Sequence, residues 1–141
     1  MICIECKRGR LQSRKAGVPA EVKGDKMLVN MEALVCPRCG YTTIDGKQMA
    51  EYMRLSADAY RHNHSLLTSS EIRSRRRALR MSQEQFAAYL GTGVASVKRW
   101  ELAQIQDQAM DRLMRLMTDV EWAKNNYLNV AALIAPAEAN P

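Results

Sequence analysis

The chain has 141 residues and a formal net charge of +6, a length that suits one large or two small domains. No apolar run approaches the roughly 20 residues that span a bilayer; the longest covers residues 130–135, so no membrane protein is expected. Met1 and Ile2 lead straight into a candidate ligand, Cys3, so no secretory signal is expected and the chain should be cytoplasmic, where thiols stay reduced and metal binding is favoured over disulfides.

The cysteines occur only as two Cys-x-x-Cys pairs, Cys3/Cys6 and Cys36/Cys39. Tetrahedral zinc takes four soft ligands converging on one point, and thiolate is the softest that a protein offers. Two residues between paired cysteines let one tight turn aim both sulfurs at one ion. In the second pair Pro37 fixes the turn and Gly40 permits a positive φ. The first pair has a looser version, with Gly9 a few residues late. The gap from Cys6 to Cys36 exceeds the common spacing of roughly 15–20 residues, so a hairpin must lie between the turns, as in a zinc ribbon. One structural zinc ion per chain is expected. The alternatives are two disulfides or a redox pair.

Residues 27–35 read as a strand feeding the second knuckle, residues 41–44 as a short strand on its far side, and residues 10–23 as partner strand or strands interrupted at Gly17 and Pro19. Asp45 has cap chemistry, with Gln48 three residues on. A helix then carries Met49, Tyr52, Met53 and Tyr60 at helical spacing and runs to about Arg61. A unit of this size has a marginal core, which a metal would stabilise. Residues 62–65, containing His62 and His64, have no periodicity and read as a hinge; the two histidines are taken as surface groups.

Charge is unevenly placed. Residues 1–60 carry ten Lys/Arg against seven Asp/Glu, residues 61–100 eight against two, and residues 101–141 three against six. The middle block includes Arg73, Arg75, Arg76, Arg77 and Arg80, five arginines in eight residues. Such a block attracts polyanions with salt-sensitive affinity; the alternative is a solvated helix face, and Arg75 and Arg76 are left to that reading. Thr68 with Glu71 and Ser82 with Gln85 form capping boxes for two helices, the first carrying Ile72 and Leu79, the second burying Phe86, Ala87 and Leu90. Gly91, Thr92 and Gly93 break the second helix. A third follows, with Val94, Val97 and Trp100 on one face and Ser96, Lys98 and Arg99 outside it. This is the sequence form of helix-turn-helix; a plain helical bundle is the alternative. Met110, Leu113, Met114 and Met117 form an apolar stripe on a helix over residues 107–117, fit for core packing or a dimer seam. Residues 119–134, with Val120, Trp122, Leu128 and Leu133, offer another helix and a possible subunit contact. Residues 135–141 read as a loose tail.

In a helix-turn-helix the second helix enters the major groove. Ser96 and Arg99 are the expected base contacts, with Lys98 nearby and Thr92 and Gly93 at the entry. Arginine can bond guanine through two parallel hydrogen bonds. Ser82, Gln83, Arg73 and Arg77 are expected on phosphates, which fix register without reading sequence. Such readers pair on two half-sites, so a homodimer with its seam in residues 102–133 is expected. No Ser-His-Asp, metal-water or phosphate-loop arrangement is present, and no enzyme is expected; a Cys-x-x-Cys thiol oxidoreductase is the rival, and needs a pair at a helix N-terminus.

A four-cysteine zinc domain, a hinge and an Xre-type helix-turn-helix, in that order, resemble the MqsA antitoxin family, also called YgiT-type zinc-finger antitoxins. The paired cysteines, residues 79–84 and residues 93–101 carry the likeness, which covers nearly all of residues 1–117. It implies an α+β chain with a zinc-stabilised, toxin-binding domain over residues 1–62 and a hinge at 63–68. A dimerising DNA-binding domain over residues 69–134 would follow, with repression of its own operon. Two departures stand out. The resemblance implies asparagine and arginine four apart on the recognition helix; Arg99 matches the arginine, but Ala95 stands at the asparagine position. Alanine can touch a thymine methyl but cannot bond adenine twice, so a different operator is expected. The usual Gly- and Pro-containing turn after that helix is also missing from residues 101–106. A zinc-ribbon/helix-turn-helix regulator without a toxin is the alternative function.

Overall fold

A computed structural model of the protein describes residues 1–126. It divides into two compact units, Met1–Tyr60 and the chain from Arg61 onward. Together they make an α+β chain, with a small antiparallel sheet and the four cysteines in the first unit and helices in the second.

In the first unit β1 (Gln12–Val22) and β2 (Asp25–Val35) form a hairpin in continuous register, from Gln12 opposite Val35 to Val22 opposite Asp25. The turn residues Lys23 and Gly24 both have positive φ, 50° and 90°. A two-residue loop of this kind matches the right-handed twist of the strands it joins. A short strand, β3 (Thr42–Thr43), pairs with the end of β2, so the order is β1-β2-β3. Alternation puts Val18, Ala20, Val29, Met31 and Ala33 on one buried face. Gly17 and Pro19 were expected to interrupt the first strand, but β1 runs through both. The reason is position: β1 lies at the sheet edge, where a residue lacking an N–H is tolerated.

Asp45 caps a single 3-10 turn, Gly46–Gln48, by accepting from the N–H groups of Lys47 and Gln48, while Gln48 reaches back to the Asp45 N–H. The turn leads into α1 (Met49–Asn63). Tyr52 and Leu55 of α1 pack on the buried sheet face, and the Tyr52 hydroxyl donates to the Pro19 carbonyl at 2.7 Å. Ser56 and Ala57 are also buried, whereas Met49 and Met53 are exposed. The helix is thus rotated from the expected phase, with Tyr52 and Leu55 on the sheet face, Ser56 and Ala57 buried and the two methionines outward.

The second unit holds α2 (Ser69–Ala78), α3 (Gln83–Leu90), α4 (Val94–Trp100), α5 (Gln108–Met117) and α6 (Val120–Asn126). Both expected capping boxes are present, at Thr68/Glu71 and Ser82/Gln85. Ile72, Phe86, Ala87, Leu90, Val97, Trp100, Met114 and Met117 share one core, with Leu79, Val94, Met110, Leu113 and Trp122 packed against it. The methionine stripe of α5 therefore serves that core. Within the segment expected as a hinge, residues 63–68, Leu67 is fully buried, its N–H donates to Asp111, and its carbonyl accepts from Gln106. Leu128, Leu133 and the expected tail at 135–141 lie outside the described residues. No helix among the described residues is long and apolar enough to cross a membrane.

Candidate metal centre and nucleic-acid interface

The four cysteines converge. Their sulfurs all lie within 4.8 Å of one another, with Cys3 and Cys39 at 3.6 Å and Cys6 and Cys36 at 3.7 Å. A zinc–sulfur length of about 2.3 Å places sulfurs about 3.8 Å apart at the corners of a tetrahedron, so the spacing fits a single ion. Each pair lies in a tight knuckle. The Lys7 N–H donates to the Cys3 carbonyl and the Gly40 N–H to the Cys36 carbonyl. Both donors follow the second cysteine of their pair, and both have positive φ, 57° at Lys7 and 79° at Gly40. A bridge between Ile2 and Arg10 closes the first knuckle. Gly9 is buried against the sulfurs, and its N–H donates to Cys6 Sγ at 3.3 Å. A Cβ here would come within 3.0 Å of Cys36 Sγ, so the backbone approach requires glycine.

The electrostatics point the same way. Main-chain hydrogen bonds at Arg8 and Gly9, aided by the thiols of Cys36 and Cys39, lower the Cys6 pKa to about 6. At Cys39 the main-chain bond of Tyr41 favours the thiolate, but desolvation and the thiols of Cys3, Cys36 and Cys6 outweigh it and raise the group to about 12. Hydrogen bonding thus favours the thiolate at Cys6, whereas burial and the neighbouring thiols disfavour it at Cys39. A divalent soft metal removes that conflict by stabilising all four as thiolates. Neither pair lies at a helix N-terminus; both lie in turns flanking the hairpin.

The second cluster is the α3–turn–α4 unit. Gly91 closes α3 in the left-handed region at φ 78°, and Gly93 is the N-cap of α4. Burial of Val97 and Trp100 turns the opposite side of α4 outward, where Ala95, Lys98 and Arg99 are exposed and Ser96 is half-buried. Thr92 is half-buried in the turn. Ser82 is exposed at the N-cap of α3, its oxygen accepting the Gln85 N–H. Arg77 is exposed on α2. Arg73 and Gln83, by contrast, both reach Glu101.

Glu101, just past α4, is a buried charge that single-sequence reading does not single out. Arg76 pairs with it through two parallel bonds, Nε to Oε2 at 2.8 Å and Nη2 to Oε1 at 2.9 Å, and donates a third bond to the Met81 carbonyl. Bonding to Glu101 raises the Arg76 pKa against the opposing effect of burial. Arg76 is therefore an interior residue, not the solvated one expected, and Arg75 is half-buried with a bond to Thr118. A second network replaces the missing Gly/Pro turn. Arg61, fully buried, donates to the carbonyls of Trp100, Leu102 and Gln104 and to Gln106 Oε1. The last carbonyl of α4, that of Trp100, and two carbonyls of the loop that follows thus find a cationic donor. Gln106 in turn bonds Asp111, whose pKa is lowered: burial opposes this, but the Leu67 N–H, Arg115 and Gln106 outweigh it. No buried side-chain nitrogen or oxygen among the described residues lacks a partner.

The family described as the antitoxin component of the bacterial toxin-antitoxin system, MqsA, matches residues 1–122. No curated protein matches the chain.

Proposed function

Because the chain belongs to the MqsA family of antitoxins of bacterial toxin–antitoxin systems, we propose that it is a sequence-specific DNA-binding repressor that also captures its toxin. In this reading one zinc ion per chain is held by Cys3, Cys6, Cys36 and Cys39. Four thiolates fill a tetrahedral sphere and leave no open position for water or substrate, so the ion is structural and the protein is not an enzyme.

The observation that carries the DNA reading is the orientation of α4. Its apolar side is committed to the core through Val97 and Trp100, which leaves Arg99, Lys98 and Ala95 as its outward surface. Lying in the major groove, this helix brings Arg99 to a guanine, Ala95 to a thymine methyl and Ser96 to a neighbouring base edge, with Lys98 beside them. Thr92 and Gly93 stand at the groove entry. Ser82, Gln83, Arg73 and Arg77 hold phosphates and set the register. The protein binds as a homodimer on half-sites about 34 Å apart; exposed Leu102, Leu116 and Val120 support a seam in the second unit. The toxin meets the first unit, where β1 is a sheet edge open to strand addition and Ile2, Ile4 and Leu28 are exposed. A cytoplasmic location follows from such partners.

Arg99→Ala tests the base-reading role. Discrimination between the operator and random duplex should fall by about 1–3 kcal/mol, while salt-sensitive residual binding persists. Equal loss on both duplexes in a mobility-shift titration would remove Arg99 from the bases.

A further inference from the structure

We propose that Glu101 is a positioning residue for DNA binding, a buried carboxylate that sets the phosphate-holding side chains Arg73 and Gln83 in one frame with the base-reading helix α4. The inference rests on the DNA-binding reading above and assigns that surface an internal organiser.

Glu101 is the C-cap of α4 and is 1% exposed. Three side chains from two other helices converge on it. Arg76 of α2 takes both carboxylate oxygens in the parallel geometry described above. Gln83, the first residue of α3, reaches Oε1 with its amide nitrogen at 3.4 Å. Arg73, one turn before Arg76 on α2, approaches Oε1 with Nε at 3.5 Å and donates from Nη2 to the Glu101 carbonyl at 3.1 Å. A single residue at the end of α4 thus bonds to the two helices that precede it.

These contacts divide by strength. The Arg76 pair is short, two-pronged and buried, and it neutralises a carboxylate that would otherwise repel a phosphate. The Arg73 and Gln83 contacts are longer, and the Arg73 side chain is 37% exposed. A half-exposed ion pair at this distance adds little stability. Its effect is geometric. A guanidinium has five N–H donors; Glu101 engages Nε and Nη2, and no bond to Nη1 is needed for that hold. An arginine already held loses less rotamer freedom on meeting a phosphate. Because the holder is part of α4's own terminus, the phosphate contact and the base contact of Arg99 are spaced by covalent structure and one buried carboxylate.

The test is a double-mutant cycle on the intact chain. Affinity for the duplex upstream of its own coding sequence is measured by fluorescence anisotropy at several salt concentrations. The proteins are the wild type, Arg73→Ala, Glu101→Gln and the double variant. If Glu101 acts through Arg73, each single variant loses affinity and the double variant loses no more than the worse single. The log–log salt slope of Glu101→Gln should shrink by about 0.9, the equivalent of one phosphate contact. Multiplicative losses with an unchanged salt slope in Glu101→Gln would overturn the role and leave Glu101 as a fold-supporting residue. Should Glu101→Gln fail to fold by circular dichroism, Arg73→Lys decides instead. It keeps the charge but not the two-point hold, so its affinity should fall about as far as that of Arg73→Ala; wild-type affinity would overturn the proposal. A wild-type chain that binds no duplex refutes the DNA reading itself, and this role with it.

Discussion

Gly9→Ala probes the metal centre with the smallest possible perturbation. The new methyl carbon would stand closer than 3.0 Å to Cys36 Sγ and 3.1 Å from Arg38 Cβ, with Cys6 Sγ at 3.6 Å. Two of those three atoms are ligand sulfurs, so the first knuckle must retreat or a sulfur must leave its corner. Overpacking of this kind costs about 1–3 kcal/mol. An apparent structural-zinc binding energy of about 10–16 kcal/mol is far larger, so the site should weaken and still form. At about 1.4 kcal/mol per tenfold, zinc affinity should drop by roughly 5- to 150-fold. Competition against a chromophoric chelator at fixed pH measures this directly. Gly46→Ala is the control, because a Cβ there meets nothing within 4 Å. Unchanged zinc affinity in Gly9→Ala would refute the idea that backbone packed against the sulfurs closes the site.

Two other outcomes follow from local geometry and charge. Lys7 occupies the left-handed region at the place where the second knuckle has Gly40, so Lys7→Gly should stabilise the zinc-loaded protein by up to about 1 kcal/mol; a lower thermal midpoint would contradict this. Asp111 has a folded pKa below its ordinary 3.8, so its carboxylate contributes stability that is present above that value and is lost as pH falls through the lower, folded one. The stability gap between wild type and Asp111→Asn in urea should therefore be widest well above pH 3.8 and shrink as pH falls below it, and a gap that does not change with pH would show that the charge is not what matters.

What could be read from the chain was what is local. Cysteine spacing, three side-chain caps at Asp45, Thr68 and Ser82, and the Gly91 stop are written within a few residues, and each lies where its chemistry predicts. Long-range polar pairing is not written this way. Arg76 and Glu101 stand 25 positions apart, and nothing in a run of five arginines marks the one that turns inward. Arg61 looked like the last residue of a helix before a hinge, yet its guanidinium holds the loop after α4, 39–43 positions away. That bond set also explains how residues 101–106 turn without glycine or proline: among the described residues the left-handed positions lie elsewhere, and a buried cation serves the carbonyls. The continuous β1 was missed because the cost of Pro19 depends on whether its strand is central or at the edge, which only the assembled sheet decides. The rotation of α1 was missed because apolar periodicity weights Met49 and Met53 above Ser56 and Ala57, although it is the two small residues that are buried.

The most direct measurement is an equilibrium titration of the intact, zinc-loaded chain against the duplex upstream of its own coding sequence and a shuffled duplex of equal length and composition, repeated between about 50 and 200 mM salt. Preference for the native duplex by about a thousandfold or more, with affinity for both falling steeply as salt rises, is the expected result. Equal affinity for the two duplexes, or binding indifferent to salt, would contradict a groove-reading α4.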